Sequence, residues 1–344
     1  MTKRVLVAMS GGVDSSAAAA ILKKQDWVVE GVTMKLAAGL CCDIGSAQEV
    51  CRQLNIPHRM IDAQAEFSQG IVGNFIAEYR KGRTPNPCIK CNELIKFNLL
   101  LGYARSNGFD HLATGHYARI EKSAPSSRYL LKRGSDEDKD QSYFLYRMTQ
   151  DQMKSVLFPV GGMQKGEVRA LAREMRLSAA ERPESQEICF VPDDDYRSFL
   201  RENAPETLGP GELALTDGTI VGKHGGIAFF TVGQRRRLGV AVGERLYVVR
   251  IEPETNRVVL GRLSELETRE MTVSDMNYIS FPELHSALRV QVKVRYRSAF
   301  VPATIEPSGI AVRVVFEEAV KGVCPGQAAV FYDGETVIGG GTIE

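Results

Sequence analysis

The chain has 344 residues, of which 44% are hydrophobic and 25% charged, and its 43 basic and 42 acidic side chains give a formal net charge of +1. This length suggests two or three domains, and the composition excludes global disorder, collagen and coiled-coil structures. No uncharged stretch approaches the ~18 apolar residues of a membrane span. Asp14 and two glycines interrupt the apolar run near the amino terminus, which argues against a signal peptide. We therefore expect a cytoplasmic protein without a membrane partner.

The first half of the chain alternates short apolar strands with helical segments. Strands are predicted at 4–9, 27–36, 58–61 and 110–118, and helices at 15–24, 46–54, 65–80 and 93–105. The run at 4–9 is continuously apolar, which is typical of a strand buried on both faces of a parallel sheet. The alternation predicts an α/β domain with a Rossmann-like parallel sheet.

The pattern changes near 201–210. Beyond this point, short runs of Val, Ile, Tyr and Phe between Gly and Pro predict strands at 228–232, 245–252, 257–260, 288–294, 310–316, 328–332 and 336–338. We therefore predict three domains, namely an α/β catalytic domain at 1–200, a small mostly-β central domain at 201–265 and a C-terminal β-barrel at 266–344.

The first predicted strand leads into a loop of small residues, Ser10-Gly11-Gly12-Val13-Asp14-Ser15-Ser16, and then into a helix. Such a loop lets backbone N–H groups and the helix dipole face an anion, and Asp14 offers a carboxylate for a divalent metal on the phosphates. The loop has neither the lysine of a P-loop NTPase nor a G-x-G-x-x-G pattern. A plain glycine turn with Asp14 as a helix cap is the alternative interpretation.

The loop resembles that of the PP-loop ATP pyrophosphatases. These enzymes cleave ATP between the α and β phosphates and adenylate a substrate oxygen. The resemblance alone leaves amide formation, lysidine formation and sulfur transfer open.

The seven cysteines are too sparse for a secreted disulfide scaffold and indicate buried, catalytic or metal-binding thiols. Cys88 and Cys91 form a C-x-x-C at a predicted helix start, where a lowered pKa would favour the thiolate. Cys189 is a third polar-flanked cysteine. A structural zinc half-site and a thioredoxin-like pair are alternatives for the C-x-x-C. Of the remaining four cysteines, Cys51 is interpreted as a core residue and Cys324 as a structural one. Cys41 and Cys42 are adjacent and have no matching second pair, which argues against a zinc site there.

Six segments in order resemble the bacterial tRNA-specific 2-thiouridylases over nearly the whole chain. They are the loop at 8–15, Thr-Pro-Asn-Pro with C-x-x-C at 84–91, Ala-Thr-Gly-His-Tyr-Ala-Arg at 113–119, Lys-Asp-Gln-Ser-Tyr-Phe at 139–144, Gln-Glu-Ile-Cys-Phe at 186–190, and Phe-Thr-Val-Gly-Gln-Arg-Arg-Arg-Leu-Gly at 230–239. The combination is far more specific than any single motif.

The resemblance implies ATP-dependent thiolation of the wobble uridine in the anticodon stem-loop of the tRNAs for Lys, Glu and Gln. The cofactors would be ATP and Mg²⁺, and DNA is not expected as a partner. ATP would adenylate the oxygen at ring position 2. Sulfur from a persulfide donor or relay protein would arrive as a persulfide on Cys189. Cys91 would be the nucleophile, and the cycle would end in a Cys91–Cys189 disulfide with 2-thiouridine, AMP and pyrophosphate as products.

The resemblance also assigns site residues. ATP phosphates would bind Ala8, Met9, Ser10, Gly11, Gly12, Val13, Asp14 and Ser15, and Met34 and Gly115 would border the adenosine. Cys88 would face the flipped base, and the predicted tRNA contacts are Asn86, Pro87, His116, Lys139, Asp140, Gln141, Arg295, Tyr296 and Gln327.

Two basic stretches support RNA binding without reference to the family. Segment 229–250 carries five arginines and one glutamate, and segment 289–304 carries four basic residues and no acid. Tyr247 and Tyr296 are interleaved with these charges. A solvated surface is the alternative, but this pattern suits contacts with a phosphate backbone whose target base is extruded.

The chain departs from the family at Cys88. Many members have an aspartate at this position, which is assigned an acid–base or positioning role at the target base. The change leaves three thiols, Cys88, Cys91 and Cys189, able to ligate an iron–sulfur cluster such as [4Fe-4S]. Persulfide relay and cluster-assisted sulfuration both remain open. So do two rival functions, another PP-loop tRNA modification and a redox or metal-binding module that binds RNA.

Overall fold

The computed structural model describes residues 3–36, 43–183, 188–191, 193, 195–240 and 243–344. The strands of its first part are β1 (Arg4–Ala8), β2 (Val28–Lys35), β3 (His58–Asp62), β4 (His111–Ala113), β5 (Ala118–Lys122), β6 (Tyr129–Arg133) and β7 (Val156–Leu157). Five of them form a parallel sheet in the order β3-β2-β1-β4-β7. The predicted Rossmann-like sheet is confirmed.

Helices cover both faces of this sheet. They are α1 (Val13–Lys24), α2 (Ile44–Gln53), α3 (Gln64–Phe67), α4 (Gly73–Arg80), α5 (Pro87–Lys90), α6 (Leu101–Ser106), α7 (Gln150–Lys154), α8 (Lys165–Glu174) and α9 (Tyr196–Asn203). Two π-helical stretches, Ser68–Val72 and Cys91–Leu100, make α3–α4 and α5–α6 continuous helices. The second of these begins at Pro87, six residues before the predicted start, because proline suits the first turn of a helix.

The first strand is the centre of two cores. Leu6 packs into the core on one face of the sheet, and Val5 and Val7 pack into the core on the other, all fully buried. The buried alanines of α1 (17–20) lie in the second core, so the loop between β1 and α1 is held by close packing on both sides.

The second part is a four-stranded sheet with a small core of its own. Its strands are β8 (Gly211–Leu215), β9 (Ile220–His224), β10 (Tyr247–Glu252) and β11 (Arg257–Gly261), in the order β10-β11-β8-β9. The strand predicted at 228–232 is wrong. A 3₁₀ turn, Ile227–Phe229, follows Gly226, whose φ of 156° breaks the strand. Ile227 and Phe230 still reach the core from this turn.

The third part is a closed antiparallel barrel. Its strands are β12 (Glu267–Tyr278), β13 (Leu288–Lys293), β14 (Val301–Ser308), β15 (Ala311–Lys321), β16 (Ala328–Asp333) and β17 (Thr336–Ile343). They pair in the ring β12-β15-β14-β13-β16-β17, which β12 and β17 close. The predicted C-terminal barrel is confirmed, and closure leaves no open edge within the ring.

A hairpin of the first part joins the barrel sheet. β5 and β6 pair with each other, and β6 pairs with β17 through Leu131 and Val337. The strand predicted at 110–118 is therefore two elements, because residues 114–117 form a turn between β4 and β5. Through this hairpin, the barrel is joined to the loop at 114–117, which leads directly into β5.

Within the part of the chain described, no helix combines the length and the apolar character needed to cross a bilayer.

Candidate active site

A cavity of about 360 Å³ opens at the carboxyl ends of β1, β2 and β4. This edge is where ligands bind in open α/β sheets. The predicted site residues that line it are Ala8, Met9, Ser10, Asp14, Ser15, Met34, Pro87, Cys88, Cys91, Gly115, His116, Gln141 and Cys189. The predicted nucleotide loop and the three predicted thiols therefore share one cavity.

The loop after β1 is shaped by its own hydroxyls and by glycine. Ser15 Oγ and Ser16 Oγ donate to the Gly12 carbonyl at 3.1 and 2.9 Å. Gly11 has a φ of 82°, and a Cβ there would lie 2.8 Å from the Asp43 carbonyl oxygen. Gly11 thus allows a close approach of the loop to Asp43 that a larger residue would prevent.

Asp14 lies in the first turn of α1 and is held by two neighbours. Tyr117 Oη donates to its Oδ1 at 2.7 Å. Lys165 Nζ lies 2.7 Å from Oδ1 and 2.8 Å from Oδ2. Its oxygens at the cavity wall fit the hard-oxygen ligation that Mg²⁺ prefers.

Gly115 forms the surface against which the loop rests. A Cβ at this position would lie 2.6 Å from the Asp14 carbonyl carbon and the Ser15 nitrogen. Gln141 Oε1 accepts from the Tyr117 backbone N–H at 3.0 Å, which fixes the turn that carries both Gly115 and Tyr117.

Cys88 and Cys91 lie in the first turns of the helix that begins at Pro87. Burial raises the pKa of Cys91 to about 11 and also raises the pKa of Cys88, although the nearby Lys96 ammonium acts against both shifts. The lowered pKa predicted from the helix start is therefore wrong for this conformation, since loss of solvation outweighs the charge and the helix dipole.

Cys189 is exposed at the rim of the same cavity. Its neighbour Phe190 is buried and packs edge-on against Phe67, Phe75 and Phe199 with ring centroids 5.7, 5.3 and 5.4 Å apart. Cys91 and Cys189 are thiols in this structure rather than a disulfide. The segment 185–187 next to them, as well as Cys41 and Cys42, lies outside the described residues.

Lys96 and Thr114 join His116 in a short polar chain. Lys96 Nζ lies 3.3 Å from His116 Nε2, and Thr114 Oγ1 lies 2.6 Å from His116 Nδ1. Burial and the Lys96 charge hold the pKa of His116 well below its usual range, so the ring is neutral. A charged lysine can only donate hydrogen bonds, so Nε2 of His116 must accept from Lys96. The proton of the neutral ring is therefore on Nδ1.

The π-helical stretch explains the position of Lys96. Its i→i+5 pattern widens the helix, and Lys96 follows Cys91 by five residues, about one such turn. Among the described residues that line the cavity, Lys96 is the basic side chain other than His116.

The three thiols do not form a ligand set. Among the described residues, no three His, Cys, Asp or Glu side chains are grouped closely enough to hold a metal ion. The structure therefore does not support the cluster alternative, and the persulfide route needs only Cys91 and Cys189.

The other predicted tRNA contacts lie mostly where the parts of the molecule meet. Gln327 Nε2 donates to the Thr84 carbonyl at 2.8 Å, and Arg295 Nη2 donates to the Val232 carbonyl at 2.8 Å. The Tyr296 ring lies 4.4 Å from that of Phe144. Lys139 is half-buried, and Asn86 lines a second cavity between α5 and the barrel.

Asp140 has a different environment from the other predicted contacts. It is buried, and its carboxylate accepts from the Gly134 and Ser142 N–H groups, each at 3.0 Å. Its side chain therefore supports the turn that carries Gln141. Direct RNA contact by these residues stays a prediction.

Sequence patterns did not indicate Lys96, Lys165 or Tyr117. Tyr117 lies inside the motif at 113–119, and this position could have indicated that it belongs to the site. The position of Lys96 depends on the π-helical spacing, and that of Lys165 on packing against a residue 151 positions away in the sequence. Local sequence patterns predict neither.

The fold and the cavity define an α/β protein whose small-residue loop after β1 lines one cavity with three cysteines. Three family models match in order: the tRNA methyl transferase HUP domain over residues 3–193, the tRNA methyl transferase PRC-barrel domain over 197–262 and the aminomethyltransferase beta-barrel domain over 268–343.

Curated relatives named tRNA-specific 2-thiouridylase MnmA match nearly the full length. The chain is 46% identical to that of Acetivibrio thermocellus (99% of each chain), 45% to that of Picosynechococcus (99% of this chain, 98% of the relative) and 43% to that of Clostridioides difficile (100% and 99%). A 4-thiouridine synthetase solved with RNA and bound ATP is a distant likeness, at 17% identity and a TM-score of 0.36 over 60% of this chain and 51% of that one. The chain belongs to the tRNA-specific 2-thiouridylase family.

Proposed function

We propose that this protein uses ATP to replace the position-2 oxygen of the wobble uridine with sulfur in the tRNAs for Lys, Glu and Gln. The observation that carries the proposal is the cavity in which Asp14 and Ser15 of the phosphate loop face Cys91 and Cys189. Activation of an oxygen and delivery of a sulfur need one shared space, because the activated base must be attacked before water reaches it.

In the first step, the base oxygen attacks the α-phosphorus of ATP and the bond to pyrophosphate breaks. The loop at 8–15 binds the phosphates, and Met34 and Gly115 border the adenosine. Asp14 would hold Mg²⁺, which when bound would supply positive charge on the phosphates. The oxygen thereby becomes part of AMP, which is a good leaving group.

In the second step, a donor or relay protein has placed a sulfur on Cys189, whose exposure at the cavity rim allows such a delivery. The terminal sulfur bonds to C2 of the base and AMP leaves. Cys91 then attacks the Cys189 sulfur, the S–S bond of the persulfide breaks, and its electron pair stays with the sulfur on the base. The products are 2-thiouridine and a Cys91–Cys189 disulfide, which a reductant must reopen.

Lys96 supports the sulfur chemistry as a fixed positive charge. Cys88 and Cys91 both have raised pKa values, so attack by Cys91 requires a group that stabilises its thiolate. Lys96 is held one helical turn away by the neutral His116. Cys88 and Pro87 lie at the cavity wall, where the extruded base enters.

In this proposal, residues 1–200 carry out the chemistry and contact the tRNA near the target base, and domains 201–265 and 266–344 bind the rest of the tRNA. Arg235, Arg236 and Arg237 are exposed on the central domain. Arg295 reaches from the barrel to this segment through the Val232 carbonyl. In this proposal, both domains contact the phosphate backbone around the anticodon stem-loop.

The test incubates the protein with α-labelled ATP, unmodified tRNA and a persulfide donor. Labelled AMP and 2-thiouridine should form in a ratio of about one to one, and only when tRNA is present. The same tRNA with cytidine at the wobble position is the matched control and should give neither product. Formation of lysidine or of 2-thiocytidine would assign the protein to another PP-loop activity, and binding of RNA without release of AMP would make it a binding module.

A further inference from the structure

Three thiols line the cavity, whereas the proposed sulfur transfer uses two of them, Cys91 and Cys189. The third, Cys88, is exposed to the cavity, as is Cys189, and Cys91 is half-buried. Burial raises the pKa of Cys88 and of Cys91, and Cys189 acts on both in the same direction, so the three thiols lie within electrostatic reach of one another. Cys88 is therefore a nucleophile beside the reacting pair for which sulfur transfer has no use.

Cys88 and Cys91 are fixed neighbours because one helix carries both. Cys88 lies in α5, and Cys91 continues this helix with a φ of −63° and a ψ of −44°. Helix geometry places residues three apart on one face, with their Cα atoms about 5 Å from each other. This separation lies within the range of about 4.4–6.8 Å that disulfides bridge. A Cys88–Cys91 disulfide therefore requires only a local adjustment of the first helical turns.

Cys189 reaches the cavity from a different part of the chain. Its neighbour Phe190 is held among the rings of Phe67 and Phe75, with centroids 5.7 and 5.3 Å apart. Attack by a group on the same helix is favoured over attack by a group from a separate segment, because its position is already fixed. A Cys189 thiolate is also a suitable leaving group, since water at the exposed rim solvates it.

We propose that Cys88 is a resolving thiol that attacks the Cys91–Cys189 disulfide left by sulfur transfer. The inference rests on the proposed function and adds its recovery step. The Cys88 thiolate bonds to Cys91 Sγ, the bond between Cys91 and Cys189 breaks, and the Cys189 thiolate takes up the proton that Cys88 lost. This exchange needs no external electrons. A dithiol reductant then reduces the Cys88–Cys91 disulfide and becomes a disulfide itself.

The exchange separates two events of the recovery. Cys189 becomes free to receive the next sulfur at the cavity rim before any reductant has acted on the C-x-x-C. Because Cys88 faces the target base in the proposed reaction, the exchange follows departure of the thiolated tRNA. Cys91 is thereby available for sulfur transfer while the base is bound.

The test maps disulfides in the full-length protein after a single turnover without reductant. Protein that carries a persulfide on Cys189 reacts with ATP and unmodified tRNA, acid stops the exchange, and a maleimide caps the free thiols before non-reducing peptide mass spectrometry. The Cys88–Cys91 disulfide should exceed Cys91–Cys189 at least about tenfold, as for attack by a preorganised group. Cys91–Cys189 or Cys88–Cys189 as the main disulfide would overturn the inference.

Oxidation with diamide, without ATP or tRNA, compares variants independently of thiolation. Cys88→Ser should then hold the Cys91–Cys189 disulfide, and capping of Cys189 should fall at least about tenfold relative to unmutated protein and return after addition of a dithiol. A merely structural Cys88 would leave the capping of Cys189 unchanged, which would also overturn the inference. Cys324→Ser is the matched control, since Cys324 is buried and does not line the cavity, and it should behave as unmutated protein.

Failure of this inference is distinguishable from failure of the proposed function. Protein that forms Cys88–Cys91 with a free Cys189 under diamide but thiolates no tRNA would refute the function and leave the exchange. Protein that thiolates tRNA and retains Cys91–Cys189 until a reductant is added would refute the exchange alone.

Discussion

At the residue scale, the thiols of the cavity are governed by burial and by one lysine. Burial raises the pKa of Cys91 to about 11, and Lys96 is the charge that acts in the opposite direction. The thiolate is the nucleophile, so the reactivity of Cys91 depends on how far Lys96 offsets the cost of burial. His116 holds Lys96 in place while remaining neutral itself.

Replacement of Lys96 by Met should therefore slow alkylation of Cys91. Loss of the positive charge raises the thiol pKa further, and below the pKa each added unit reduces the thiolate fraction about tenfold. The measurement is the rate of iodoacetamide labelling of Cys91 between about pH 7 and 10, resolved by peptide mass spectrometry. Lys96→Arg should retain the rate, and Lys90→Met is the control because Lys90 pairs with Glu93 on the same helix. An unchanged pH profile would remove Lys96 from the sulfur chemistry.

Cys88→Ser distinguishes the two sulfuration routes. Because Cys91 and Cys189 form the exchanging pair, this variant should keep at least partial thiolation activity in air, without iron, when a persulfide donor is supplied. Cys91→Ser and Cys189→Ser should be inactive on either route and serve as controls. Loss of iron, colour and thiolation together in Cys88→Ser would favour the cluster, as would activity of the unmutated protein only after anaerobic reconstitution with iron and sulfide.

At the element scale, the turn between β4 and β5 supports the phosphate loop from below. Gly115→Ala should weaken nucleotide binding at least about tenfold, because its Cβ would lie 2.6 Å from backbone atoms of Asp14 and Ser15, and the loop must move. Affinity for tRNA should change less, since most of the predicted tRNA contacts lie outside this turn. Gly102→Ala on α6 is the control, as its Cβ would meet no atom within 4 Å. Equal nucleotide affinity in the two variants would show that the loop does not depend on this packing.

The exposed arginines of the central domain provide a second test at this scale. Changing Arg235, Arg236 and Arg237 together to Ala should weaken tRNA binding and flatten its dependence on salt, with the slope falling by about 1 for each phosphate that is no longer neutralised. Binding isotherms between roughly 50 and 300 mM salt, a range in which such slopes are linear, give the slope directly. An unchanged slope would make these arginines a solvated surface.

Sequence patterns predicted what depends on local order. The buried interior of β1, the glycine loop and the alternation of the sheet follow from periodicity and residue type. Four of the six barrel strands, β13, β15, β16 and β17, follow from their apolar and β-branched runs, whereas β12 and β14 were not predicted. The patterns could not place Lys165 beside Asp14, since the two are 151 residues apart and meet only through packing of α8 on α1. The patterns also predicted a lowered pKa for the cysteines at the helix start, whereas the pKa of Cys91 is raised. Burial depends on the tertiary structure, and its effect on the pKa exceeds that of the helix start.

At the scale of the whole molecule, one buried cluster spans the catalytic part and the barrel, and the barrel has a further core of its own. Leu6 and Leu112 of the parallel sheet belong to the same buried cluster as Tyr332 and Val337 of the barrel. The hairpin β5–β6 extends the barrel sheet through β17. The Thr84 backbone N–H donates to the Pro325 carbonyl at 2.9 Å, so the segment that leads to Cys88 is fastened to the barrel as well.

The central domain is joined less extensively. Its core consists of Leu213, Ile227, Phe230, Leu238, Leu246, Val248, Val258 and Leu260, and these residues form a cluster separate from the shared one. A core of this size supplies little stability of its own. The central domain adds Ala204 and Ala228 to the shared cluster, whereas the barrel adds Ile279, Ala328, Val330, Tyr332 and Val337.

The shared cluster and the separate core of the central domain predict the unfolding behaviour. Calorimetry should resolve the central domain as one transition and the catalytic part with the barrel as a second, because elements that bury a common core melt together. Val337→Ala removes fully buried methyl groups at the junction and should destabilise the second transition by about 2 kcal/mol while leaving it single. The first transition should not move, which hydrogen exchange of β8–β11 would verify independently. Separate melting of the barrel from the parallel sheet would contradict the shared core, and would mean that the position of the C-x-x-C segment does not depend on the barrel.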